Sequence, residues 1–138
     1  SAADGAQAEE ASKDGKAPNA KGKKTSKKKE PPAPAQYYAF DPPFVVNFAD
    51  ETQLRFLQVT MEVMTRDPQV VEAVKTHSPA IRNGLVMLYS SQDPTALNTR
   101  QGKEVLLKQS LDEVNRVLKE QTGDSGVENV YFTSFVMQ

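Results

Sequence analysis

The 138-residue sequence has no cysteine and no tryptophan, and a single histidine. Without cysteine there are no disulfides, no thiolate nucleophiles and no thiolate metal sites, although the compartment stays open, since a cysteine-free chain suits an oxidising or a reducing one. One imidazole, His77, rules out mechanisms that draw on two, and its place near the end of an expected helix suits a dipole-stabilising role. Long apolar runs are lacking too. The longest, Leu85-Val86-Met87-Leu88-Tyr89, is far short of the roughly 18–20 residues a bilayer crossing needs.

Apolar residues are also absent locally. Residues 1–36 contain no Val, Ile, Leu, Met, Phe or Tyr, so they have nothing to bury against the ~1–2 kcal/mol per residue of backbone entropy, and they are expected to form a disordered Lys/Ala/Pro-rich linker. The near-neutral total charge hides an asymmetry: this segment carries eight lysines and five acids, whereas residues 37–138 carry nine basic and thirteen acidic groups. Lys21, Lys23, Lys24, Lys27, Lys28 and Lys29 form its basic run. They are candidates for contact with acidic partners or lipid headgroups. Nucleic acid is not the expected partner, because no aromatic or arginine is interleaved to stack on bases and the attached body is acidic.

Composition changes at Tyr37, and residues 37–138 read as one domain. Phe44–Phe48 reads as a strand fixed by the preceding Pro42-Pro43. Leu57, Val59, Met61 and Val63 alternate with polar residues and predict a second, half-buried strand. Residues 49–53 are short enough for a hairpin loop between them. Asp67-Pro68 and Ser78-Pro79 each place a capping side chain before a proline and predict two short helices, the first with Val70, Val71 and Val74 on its apolar face and the second with Ile81, Leu85 and Leu88. A third helix is predicted from Thr99 to Gln121, with Leu107, Leu111, Val114 and Leu118 inward, Glu104–Lys108 and Asp112–Arg116 as outer pairs, and Gly123 as its stop. The final stretch, Val127–Gln138, reads as a strand with apolar residues in both registers, hence one covered on both faces or central in the sheet. The order β-β-α-α-α-β predicts an α+β fold: a small, mostly antiparallel sheet with helices packed on one face.

No catalytic residue, metal site or cofactor site emerges. Gly102-Lys103 is similar to the end of a phosphate-binding loop, but Glu104 stands where Ser or Thr would bind magnesium. Tyr37, Tyr38 and Phe40, where linker meets domain, are the candidate interface residues.

Residues 37–138 resemble the periplasmic domain of the flagellar basal-body-associated FliL family. The resemblance is carried by Asp41-Pro42-Pro43-Phe44-Val45-Val46-Asn47-Phe48, Arg55-Phe56-Leu57-Gln58-Val59, Pro79-Ala80-Ile81-Arg82-Asn83, Leu88-Tyr89-Ser90-Ser91, Gly102-Lys103-Glu104 and Val130-Tyr131-Phe132-Thr133-Ser134-Phe135-Val136. It implies a non-enzymatic motor accessory protein, held in the bacterial inner membrane by one transmembrane helix that precedes this sequence. The domain would lie in the periplasm, with a fold similar to stomatin-type domains, and self-associate into a ring beside the stator units. A membrane-tethered adaptor for a peptide or lipid surface, and a nucleic-acid binder using the lysine run, are the alternative functions.

Overall fold

The computed structural model describes residues 31–48 and 54–138. The linker prediction for residues 1–36, its six lysines and the loop at 49–53 fall wholly or mainly outside the described residues. The compact unit is Pro34–Gln138.

Its elements run β1 (Gln36–Ala39), β2 (Phe44–Phe48), β3 (Arg55–Thr65), α1 (Pro68–Thr76), α2 (Ser78–Ser90), α3 (Pro94–Leu97), α4 (Arg100–Thr122) and β4 (Asn129–Met137). The fold is α+β, and every described strand pair is antiparallel. Strand β3 is the spine of the sheet: its residues 57–59 pair with both β2 and β4, and its residues 62–64 with both β1 and β4. Consequently β1 and β2 lie end to end along one edge of β3, and β4 lies along the other.

Between Ala39↔Glu62 and Phe44↔Val59, four residues, Phe40 to Pro43, span an interval that Thr60 and Met61 alone span on β3. Those surplus residues, with cis Asp41–Pro42, break the edge into two short strands. Arg82 of α2 closes the break, donating to the Pro42 carbonyl at 2.6 Å while its guanidinium lies 4.3 Å from the centre of the Phe44 ring. Strand β4 has its own irregularity, a bulge at Thr133, since Thr60 pairs with Ser134 and Met61 with Phe132.

The helices cover one face. Phe44, Val46 and Phe48 of β2 and Leu57, Val59, Met61 and Val63 of β3 point into a core completed by Val74, Ile81, Leu85, Tyr89, Leu97, Leu106, Val114 and Leu118. Helix α1 starts as its sequence predicts, with the Asp67 carboxylate accepting from Gln69 N–H and Pro68 in the first turn. Helix α4 stops as predicted at Gly123, whose φ of 89° is the left-handed conformation that glycine adopts at low cost. Among the described residues no helix is long and apolar enough to cross a membrane.

Six expectations are corrected. Gln36–Ala39 forms a strand, too short to carry a periodic signal, so Gln36, expected to end the linker, instead pairs with Thr65 in the sheet. Pro94–Leu97 adds a helical turn capped by Asp93. Ser78 is the first helical residue rather than a side-chain cap; α1 ends at Thr76, so His77 alone caps both helices with its backbone. Helix α4 is centred on Leu106, Ser110, Val114 and Val117, with Leu107 and Leu111 at its half-buried flank. Its ion pairs shift accordingly, to Arg100–Glu104, Lys108–Asp112 and Arg116 with Glu113 and Glu120. Finally, β4 is an edge strand with one open face, not a central one.

Candidate interaction surface

The period of two that sends Phe44, Val46, Leu57 and Val59 into the core sends Val45, Phe56, Gln58 and Val136 to the opposite face, where no described helix packs. Val45, Gln58 and Val136 form one cross-strand row, and Phe56 and Gln138 begin the next. Together these five line a shallow cleft of about 190 Å³ at the end of the sheet where Leu54 is also exposed. At the other end Tyr37 and Tyr131 meet across β3, their ring centres 6.3 Å apart. Met64, the register partner of Tyr37, is only 4% exposed although it lies on this face.

The three aromatic residues singled out from sequence separate by strand alternation. Tyr37 is 56% exposed on the open face. Tyr38 points the other way, pairs with Val63 and packs edge-on against Phe40, 5.1 Å between centres. Phe40 is 2% exposed and lies tilted against Phe44, 5.8 Å between ring centres, so its side chain is core and presents no surface. Sequence reasoning passed over Val45, Phe56, Tyr131 and Val136. The signal was present in the doubled apolar registers of Phe44–Phe48 and Val130–Met137, which must leave one set outside when helices cover one face only.

Polar groups elsewhere are engaged structurally. The Tyr89 hydroxyl lies inside the core beside Ser110 and Met61, and burial pushes its pKa well above the ordinary phenol range. Lys103 donates to the Leu97 carbonyl at 2.8 Å and lies over the Phe135 ring, while Gly102 N–H is bonded to the Thr99 hydroxyl that caps α4. Asn115 reaches from α4 to the lead-in of β4, accepting from Gly126 and Val127 N–H and donating to the Val127 carbonyl. Among the described residues no group of His, Asp and Glu is placed to hold a metal ion. The open face offers apolar contact area.

The family model described as flagellar basal body-associated protein FliL matches residues 37–138. The flagellar protein FliL of Aquifex aeolicus (strain VF5) is 34% identical over 108 residues, covering 78% of this chain and 65% of that protein. The flagellar protein FliL of Escherichia coli (strain K12) is 26% identical over 107 residues, covering 78% of this chain and 67% of that protein. The chain thus spans about two thirds of the length of these relatives.

Proposed function

The chain belongs to the family of the flagellar basal body-associated protein FliL, and on that premise we propose that it is a non-enzymatic accessory component of the flagellar motor. In this reading residues 37–138 are a periplasmic module, residues 1–36 a linker, and a helix upstream of Ser1 anchors the protein once through the inner membrane. Copies associate with one another beside the stator units and support torque under load. A fold akin to stomatin-type scaffolding domains belongs to the same reading.

The observation that carries it is the match of one family model to residues 37–138, all but the first three residues of the compact unit Pro34–Gln138. The open sheet face supports it physically, because Tyr37, Val45, Phe56, Tyr131 and Val136 keep apolar area in water that a docking partner would cover. Tethering raises local concentration, so weak contacts suffice between copies in one membrane.

The test is deletion of the gene in its own bacterium. Swarming is expected to fall while flagella still assemble, and a fluorescent fusion is expected to form foci at flagellar bases. Unchanged swarming together with a diffuse fusion would overturn the proposal.

A further inference from the structure

The open sheet face carries a single charge. Strand alternation turns Phe56, Gln58, Thr60, Glu62 and Met64 of β3 away from the helices, and among the paired residues of the four strands Glu62 is the only charged side chain on that side. Among the described residues no ion pair or side-chain hydrogen bond engages its carboxylate.

Glu62 is half-buried, with Tyr131 as its register neighbour on β4 and Ala39 as its neighbour on β1. The Tyr131 ring centre lies 6.3 Å from that of Tyr37, with 47° between the ring planes, and both rings are well exposed. Ala39 is exposed and ends at Cβ, so the carboxylate is open on that side. Two aromatic rings beside a free carboxylate suit an ammonium or guanidinium group: the carboxylate balances its charge, and the rings attract it through their quadrupoles.

This charge selects what covers the face. A purely apolar cover would seal an unpaired carboxylate from water, which is costly. The same face of a second copy would bring another carboxylate and no cation, so pairing of like faces is opposed. We propose that the open face docks a helix of a different polypeptide whose apolar side carries one arginine or lysine, with that cation on Glu62 beside the Tyr37 and Tyr131 rings; this rests on the docking reading of the face above. Helices already cover the other face of this sheet, whereas an added strand would pair with an edge and leave Glu62 open.

The strand also sets a spacing. Glu62 is six residues along β3 from Phe56, a wall of the apolar cleft, or about 20 Å at ~3.3 Å per residue. In a helix lying along β3 that distance is about 13 residues, which separates the partner's cation from the aliphatic side chain it seats among Val45, Phe56 and Val136.

The test uses the protein in its own bacterium. Glu62→Lys is expected to lower swarming to the level of the gene deletion at unchanged protein abundance, and Glu62→Gln, which keeps the shape, to lower it part of the way. Where Glu62→Lys accumulates poorly, Glu62→Gln decides by the same readout. Selection for restored swarming in Glu62→Lys is expected to return changes that remove or reverse one arginine or lysine of another protein, and these should impair swarming once Glu62 is put back. Normal swarming in a stable Glu62→Lys, while the deletion still impairs it, overturns the docked cation and leaves the accessory role standing; normal swarming in the deletion overturns both. Suppressors confined to this chain overturn the docked cation as well. Glu62-dependent flotation of the purified chain with vesicles of phosphatidylethanolamine and phosphatidylglycerol gives the face to lipid, and Glu62-dependent self-association in sedimentation gives it to a second copy; either result overturns the proposal.

Discussion

The phenolic oxygen of Tyr89 lies 3.0 Å from the Oγ of Ser110, joining α2 to α4 inside the core. Ser110 donates its own proton to the Leu106 carbonyl at 2.7 Å, so its oxygen is left to accept from Tyr89, with the Met61 sulfur at 3.2 Å as the other acceptor. The two halves of this bond are unequal. Ser110→Ala leaves a buried phenol with only a weak sulfur acceptor and is expected to cost about 1–3 kcal/mol, whereas Tyr89→Phe leaves Ser110 satisfied by Leu106 and should cost at most about 1.5 kcal/mol. Urea unfolding of both variants measures the difference, and equal losses would contradict it.

The same phenol sets a limit at high pH. Its folded pKa is raised by burial, so stability is fully present below the unfolded phenol value, about 10, and is lost as pH rises from there towards the folded value. The expected slope from this group is a loss of about 1.4 kcal/mol per pH unit above pH ~10. Denaturant titrations between about pH 9 and about pH 11, roughly one unit either side of that value, should show it, and Tyr89→Phe should flatten it.

Two glycines inside helices are expected to respond oppositely to alanine. A methyl at Gly84 would meet only the carboxylate end of Glu113, a side chain that can swing aside from its bond to Arg116. Alanine is also the better helix former by about 1 kcal/mol, so Gly84→Ala should be neutral or mildly stabilising. At Gly102 the methyl would run into the Ala96 carbonyl, where α3 turns into α4, and backbone must move. Gly102→Ala is expected to lose about 1–3 kcal/mol. Thermal melts of the pair decide it.

Tyr37 and Phe40 offer a test that separates docking from folding. Phe40→Ala should lose about 3–5 kcal/mol, as expected for a fully buried aromatic side chain. Tyr37→Ser, on the open face, should change stability by no more than about 0.5 kcal/mol. If Tyr37 contributes to a docking surface, swarming falls in this variant despite normal stability. Normal swarming in a stable Tyr37→Ser, Tyr131→Ser double variant would remove this end of the sheet from the proposed function.

Much of the fold was legible in the sequence because several signals are local. Asp67-Pro68 carries both a side-chain acceptor and a preset φ, Gly123 carries the left-handed turn, and the alternation through Leu57–Val63 is long enough to set a register. The inward face of α4 was read one step away from its centre because Ser110, a polar residue, occupies a core position that only its partners Tyr89 and Leu106 make acceptable. Those partners are distant or backbone groups, invisible to periodicity. The position of β4 was misjudged for a related reason: apolar residues in both registers signal burial on two faces, or exposure on one, and sequence alone does not distinguish them. Of the candidate interface, the aromatic cluster was legible, but which members face water depended on the strand β1 that four residues could not announce.

The interruption at Phe40–Pro43 also bears on how this protein tolerates crowding. A sheet that grows without limit needs two adhesive margins, one to receive the next molecule and one to offer it onward. Here one margin is cut short and sealed by Arg82, so any growth through strands stops at the first addition. At high protein concentration the fold is then expected to resist strand-by-strand extension into fibrils.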